Sequence, residues 1–285
     1  MATSRPGAKA GATARTKTRH RAARKESALP KRRSRAPRAT LRSGDLVELA
    51  DRLRDFYGPQ SWWPAGSEME MVFGALLVQN TAWTGARKAL DNLIGAELLN
   101  PAAIHATPEA TVAELIRPSG YFNSKARKLK AFAAMVMDET GGSLEELLRR
   151  PLNELRPLLL GTYGFGPETA DSVCLYAARH PAFVIDAYTR RLLTRLDWLN
   201  DTPSYNVLRE AFMSAVEPDT ESYAEYHALV ITHMKHTCKK RPVCGECPLL
   251  DLCPTGQSEL GLAPGAVKAV PARRDPAGPP LDWND

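Results

Sequence analysis

From residue 43 onward the apolar positions recur at three- and four-residue spacing, the pattern of amphipathic helices rather than strands. Leu46, Leu49, Leu53 and Phe56 form one such face, and Gly58 ends it. Ser67 with Glu70 makes a capping box ahead of the apolar stretch 71–78. Thr107 followed by Pro108 marks another start, with Pro118 beyond its end. Asn123 and Ser124 open a helix whose Ala126, Leu129, Phe132 and Val136 share a face, and Ser143 with Glu146 opens the next. Alternation of strand type is nearly absent, since only 182–185 resembles a strand and it is too short to found a sheet. The spacings predict an all-α body of about ten short helices without internal repeats.

Composition sets outer limits. With 285 residues, 44% hydrophobic and 25% charged, the chain can bury a substantial core in one or two compact domains. No apolar run reaches the eighteen residues of a membrane span, and no apolar stretch follows the basic N-terminus, so a soluble intracellular protein is expected. The net charge of +6 is uneven: residues 1–42 hold fourteen Lys or Arg and one acid, Glu26, leaving the remainder at −7. That segment lacks apolar periodicity and reads as a disordered arm for nucleic-acid phosphates, or else as a solubility tail or import signal. The chain thus divides into a basic tail (1–42), a helical core (43–237), a cysteine-bearing loop (238–253) and a loose Pro/Gly-rich tail (254–285).

Three constellations carry chemistry. The segment 158–176 reads as helix, tight turn and helix around Gly164-Phe165-Gly166, where glycines suit positive dihedrals and close backbone approach. Such a turn exposes amides that can hold a phosphate, although the same pattern also serves as a plain connection. Asp186 follows the apolar run 183–185 at the start of a helix. It is either an N-cap or a fixed anion facing a sugar that becomes cationic as its base leaves. Four cysteines form Cys238-x5-Cys244-x2-Cys247-x5-Cys253, a thiolate set that suits zinc and a [4Fe-4S] cluster equally, whereas Cys174 sits on an apolar helix face as a core residue. Lys239, Lys240 and Arg241 within the first interval place positive charge on that loop.

From about Asp45 to Cys253 the chain resembles the helix-hairpin-helix DNA glycosylases of the endonuclease III superfamily. The resemblance rests on Gly164-Phe165-Gly166, on Ile185-Asp186 at the family's separation, and on Gln79-Asn80-Thr81, which matches the segment that fills the gap left by a flipped base. It implies a two-lobed all-α fold, double-stranded DNA with a damaged base as substrate, a monomeric DNA-associated enzyme, Asp186 as catalytic residue and Gln79 as wedge. It also implies a [4Fe-4S] cluster on Cys238, Cys244, Cys247 and Cys253 rather than zinc, with a first interval one residue shorter than the family's usual six.

Members that also nick the strand carry a lysine two residues after the last hairpin glycine. Here that position is Glu168, and a carboxylate cannot form an imine, so hydrolysis of the glycosidic bond without lyase chemistry is expected. Trp62, Trp63 and Trp83 gather around the wedge in sequence, and indoles stack well on a cationic base such as an alkylated purine. Trp62-Trp63-Pro64, Gln79-Asn80-Thr81 with an aromatic two positions on, the stretch 117–123, and Gly166-x-Glu168 with Ala170-Asp171 look like the 3-methyladenine DNA glycosylase III branch, whose best-matched members lack the cysteine quartet. The rival readings are a bifunctional glycosylase and abasic-site lyase using another lysine, a mismatch adenine glycosylase, and a non-catalytic DNA-binding protein on the same scaffold.

Overall fold

The computed structural model describes residues 41–60, 65–199, 201–263 and 265–267. Nearly all of the basic segment 1–42, together with Trp62-Trp63-Pro64 and the tail from 268 onward, lies outside the described residues. Among the described residues the fold is all-α, without strands. In chain order the helices are α1 (Ser43–Tyr57), α2 (Glu68–Leu77), α3 (Trp83–Gly95), α4 (Pro101–Ala106), α5 (Glu109–Leu115), α6 (Phe122–Thr140), α7 (Leu144–Leu148), α8 (Leu152–Gly161), α9 (Pro167–Ser172), α10 (Ala187–Arg195), α11 (Tyr205–Ala215), α12 (Thr220–His236) and α13 (Pro254–Glu259). There are more of them than the apolar period predicts, because helices of five to seven residues such as α4, α5 and α7 are too short to display it.

Local chemistry explains the element ends. Ser67 Oγ accepts from the Glu70 amide at 3.2 Å, and Glu70 reaches back to the Gly66 amide at 2.9 Å, which closes the first turn of α2. Gly58 stops α1 at a φ of 73°, and Ser143 caps α7 through the Glu146 amide. The segment 182–185 is extended but unpaired. Phe183 is sealed within an aromatic cluster, its ring 4.4 Å from Phe212 and 5.3 Å from Tyr223.

Two lobes share the core. In the first, α6 carries α4, α5 and α2 on its flanks, and α3 packs on α2 and on the short 3-10 turn Arg117–Ser119. A Cβ at Gly85 of α3 would stand 2.7 Å from the Pro118 carbonyl oxygen, so only glycine permits that approach. In the second, α1 packs on α11 and α12, while α10 packs on α12 and α13. The lobes meet where α9 continues into a π-helical turn, Val173–Ala177, which touches both α2 and α12.

Two buried charges hold this arrangement. Lys125, 1% exposed, donates to the carbonyls of Leu77 at 2.7 Å and Ser119 at 2.6 Å, tying the end of α2 to the turn before α6. Asp171, fully buried on α9, accepts a two-pronged contact from Arg156 of α8 at 2.7 and 3.0 Å and faces Arg209 of α11 at 3.2 Å. The hairpin is thereby clamped to the second lobe.

One expectation is corrected. The chain is not loose from Pro254: Pro254 opens α13 at a helix position that needs no amide hydrogen, and Gln257 is buried while its side chain donates to the Leu250 and Asp251 carbonyls at 2.9 and 3.0 Å. The anchor is the preceding cysteine loop, invisible to composition alone.

Replacing Asp171 with Ala strands two guanidinium groups, and urea unfolding should show a loss of about 3–5 kcal/mol. Lys125 predicts a pH window. Burial, aided by Lys128, lowers its pKa from 10.5 to about 8. Between those values the unfolded chain binds more protons than the folded one, so stability from this site rises with pH. The gap in urea midpoint between the native chain and Lys125→Met should widen in the native chain's favour from about pH 8 to about pH 10.5.

Candidate active site

Asp186 caps α10 through one carboxylate oxygen only. Its Oδ1 accepts from the Thr189 amide at 2.7 Å and from the Thr189 hydroxyl at 2.8 Å. Its Oδ2 faces the Nε2 of His227, on α12, at 3.7 Å, too long for a hydrogen bond but close enough for electrostatic attraction. The N-cap is observed and occupies one oxygen, which leaves the other facing His227. Burial pushes the pKa of Asp186 upward, and His227 with the Thr189 donors overcomes that push, holding the carboxyl below its ordinary value.

His227 is in turn oriented from below. Its Nδ1 lies 2.6 Å from the hydroxyl of Tyr176, carried by the π-helical turn, and both side chains are buried. Neither residue was legible as a site in the sequence, because 51 positions separate them and neither stands in a motif.

The hairpin brings a second carboxylate close. Gly164 takes a φ of 99°, and any side chain there would collide with the stem of Lys128, whereas Gly166 is extended and caps α9. The positive dihedral expected of the two glycines thus belongs to Gly164 alone. Phe165 is buried against Phe132 at 5.5 Å, which fixes the turn to α6. Glu168, in the first turn of α9, presents surface to solvent, yet the surrounding protein desolvates its carboxyl and raises its pKa, with the Asp186 charge adding to the effect. Asp186 and the hairpin are therefore electrostatic neighbours.

Gln79 bridges to the same turn. Its amide nitrogen donates to the Gly164 carbonyl at 3.1 Å and the Thr169 hydroxyl at 2.9 Å, and its oxygen accepts from the Lys128 ammonium. Asn80 beside it adopts a φ of 55°, a left-handed conformation that asparagine tolerates. Lys128 and Thr169 are contacts that the motif reading did not include.

The aromatic residues divide. Trp83, half-buried in the first turn of α3, lays its indole against α2, where a Cβ on Gly74 would stand 3.5 Å from the ring. Trp62 and Trp63 lie outside the described residues. Tyr121 is 72% exposed at a φ of 47°, immediately before α6, and the neighbouring Gly120 faces the Thr81 hydroxyl. Tyr121 thus presents an exposed ring on strained backbone beside the Gln79–Asn80–Thr81 segment.

Cys238, Cys244, Cys247 and Cys253 line one small cavity, with Arg195, Leu250 and Gly256 in its wall. The Gly256 amide donates to Cys253 Sγ at 3.2 Å, and Arg195 reaches Cys238 Sγ at 3.1 Å and the carbonyl oxygens of Cys238 and Lys239 at 2.6 and 2.9 Å. Burial raises the Cys244, Cys247 and Cys253 thiols, Cys247 to about 12, and their mutual charge adds to this. Such a set ionises together only when a cationic group supplies the compensating charge. Among the described residues, no three His, Cys, Asp or Glu side chains converge tightly enough to hold a single metal ion.

Comparison with known proteins accounts for this assembly. Residues 73–218 match the family described as HhH-GPD superfamily base excision DNA repair protein. A Methanocaldococcus jannaschii protein named among the DNA repair glycosylases is 41% identical over 210 residues, covering 73% of this chain and 95% of its own. An endonuclease III of Sulfolobus acidocaldarius is 32% identical over 190 residues, or 64% of this chain and 79% of its own. Among solved structures, the H. pylori 3-methyladenine DNA glycosylase bound to 1,N6-ethenoadenine aligns with a TM-score of 0.57 at 27% identity, covering 68% of this chain and 98% of that one. An endonuclease III trapped as a covalent intermediate on DNA aligns with a TM-score of 0.67 at 22% identity, over 78% of this chain and 100% of that one, a likeness of fold. The chain belongs to the HhH-GPD superfamily of base excision DNA repair proteins, the helix-hairpin-helix glycosylases of the endonuclease III superfamily.

Proposed function

We propose that the chain is a monofunctional DNA glycosylase that hydrolyses the N-glycosidic bond of a damaged base, with an alkylated purine as the preferred class. The observation that carries this reading is the pairing of carboxylates at the hairpin: Asp186 is held charged, and Glu168 occupies the place where an imine-forming amine would stand. Oδ2 of Asp186 then stabilises the developing positive charge on the deoxyribose and orients the attacking water. A cationic alkylpurine is already a good leaving group, so its excision makes little demand on a general acid.

DNA binding in this reading uses the hairpin and its rim. Gly164, Phe165 and Gly166 receive a backbone phosphate on their amides, Gln79 swings from its hairpin contacts into the gap left by the flipped base, and Tyr121 wedges against the stack. Trp62, Trp63 and Trp83 flank the base, Trp83 through its accessible edge. The resemblance to a solved 3-methyladenine glycosylase supports this choice of substrate class.

The four cysteines hold a [4Fe-4S] cluster in this reading. A tetrahedral zinc with bonds near 2.3 Å draws its four sulfurs to about 4 Å of one another, whereas a cubane binds each thiolate through a different iron and spreads them. Four cysteines that share one cavity supply the thiolate set either group needs, and the resemblance to endonuclease III relatives favours the cluster. The cluster would supply charge and rigidity to the Lys239-Lys240-Arg241 loop, which faces phosphate.

A bifunctional enzyme draws on one observation, the ammonium of Lys128 beside Gln79 at the hairpin. Excision and borohydride trapping on a 3-methyladenine duplex discriminate. Asp186→Asn should bind the duplex and lose at least about 100-fold in single-turnover excision, and the native chain should yield no covalent adduct. Undiminished turnover in that variant removes Asp186 from the chemistry, and an adduct lost on Lys128→Ala establishes lyase action instead. For the loop, the purified protein should show broad visible absorbance and about four irons per chain, and Cys247→Ala should abolish both. Stoichiometric zinc without colour would refute the cluster.

A further inference from the structure

The Asp186 carboxylate has a support that the family resemblance did not supply, built from Tyr176 and His227. We infer that Tyr176 and His227 form a positioning relay that keeps Asp186 ionised and aims its Oδ2, so that His227 sets the acid limb of the excision reaction. The inference deepens the proposed function and rests on the reading of Asp186 as the catalytic carboxylate.

The geometry assigns the protons. Tyr176 is sealed in the interior and keeps its phenolic hydrogen, with a pKa well above the ordinary value through burial and through the charges of Asp186 and Glu225. Its hydroxyl lies 2.6 Å from Nδ1 of His227. In a neutral imidazole that contact makes Nδ1 the acceptor, so the ring hydrogen resides on Nε2. In an imidazolium Nε2 carries a hydrogen as well. In either state a hydrogen on Nε2 faces Oδ2 of Asp186 across 3.7 Å, and His227 is 4% exposed, so the field between them is little screened by water.

The backbone is arranged to bring these groups together. The π-helical turn Val173–Ala177 closes with an Ala178 amide to Val173 carbonyl bond of 3.0 Å, five residues apart, which inserts one residue into the helical register and turns Tyr176 toward α12. Such turns recur at functional sites. The need for a relay is also visible. Glu168 from α9 and Asp186 from α10 are like charges that each burial penalises, with Glu225 on α12 nearby, while Arg190 of α10 and His227 are the cationic or polar groups that oppose them. Of the two acids at the hairpin, Asp186 is the one with the Thr189 bonds and with His227 facing its second oxygen, and it is the one held ionised while Glu168 is raised. The contacts of Thr189 and His227 thereby favour the charged form of Asp186.

The test uses the full-length protein loaded with its metal, as purified. Single-turnover release of 3-methyladenine from a dimethyl sulfate-treated duplex is followed from about pH 4 to about pH 8 in the native chain, His227→Leu and Tyr176→Phe, alongside a 13C titration of the Asp186 carboxyl assigned by its loss in Asp186→Asn. In His227→Leu the acid limb and the carboxyl midpoint should both rise by about one pH unit, a tenfold loss of rate on that limb, with duplex affinity unchanged. Tyr176→Phe removes one oxygen and preserves shape, so it reports even where His227→Leu does not fold, and it should move both in the same direction by a smaller amount. A carboxyl midpoint unmoved in the folded variants, or a rate that falls equally at all pH values, overturns the relay. Full activity of Asp186→Asn overturns the reading of Asp186 instead, and the carboxyl titration still reads the relay in that case.

Discussion

A carboxylate kept ionised within the protein is the constraint on which this structure depends. Removing an anion from water is costly, and an unsupported Asp186 would be driven toward its protonated form. The chain meets the cost with two donors, the Thr189 amide and hydroxyl on Oδ1, and with the electrostatic attraction of His227, which faces Oδ2. Those donors act only because α10 and α12 pack directly, and because the buried run 182–185 anchors the residue just before the cap. An aromatic cluster around Phe183 fixes the backbone three residues before the cap.

The hairpin depends on the same seam. Asp171 ties α9 to α8 and α11 through two arginines, while Phe165 and the stem of Lys128 hold the turn against α6 in the first lobe. Gln79 completes the connection by bonding across to Gly164 and Thr169. A residue matched to the wedge of a flipped nucleotide is thus a strut between the lobes in the DNA-free protein, and its hydrogen bonds must be exchanged before it can move.

The cysteine loop is fastened to the second lobe at points apart from the carboxylates. Arg195 holds it from α10, Arg52 of α1 meets Asp251 at 2.8 Å, and α13 folds back over it. His233 beneath it is kept neutral, its pKa lowered to about 3 by burial and by Arg195, and Tyr57 engages its Nδ1 at 2.9 Å. A ring kept neutral adds no buried charge beside the cysteines. The loop therefore borrows rigidity from helices that also carry Asp186, since α10 begins at the carboxylate and ends at the cysteines.

The amino-acid sequence by itself determined the all-α class, the caps at Ser67 and Ser143, the hairpin, the position of Asp186 and the four cysteines, because each is written in spacings of a few residues and obeys local rules of helix geometry. It also located Cys174 in the core, where it is fully buried. Only the tertiary structure decided how those pieces are partnered. Lys128 and His227 reach the site from distant parts of the chain, Thr169 and Tyr176 meet them from within the hairpin segment, and the ordering of α13 comes from the cysteine loop against which it rests. A capping serine needs one neighbour three residues on, whereas the state of a buried carboxylate is set by every charge within a few ångströms, whatever its place in the chain.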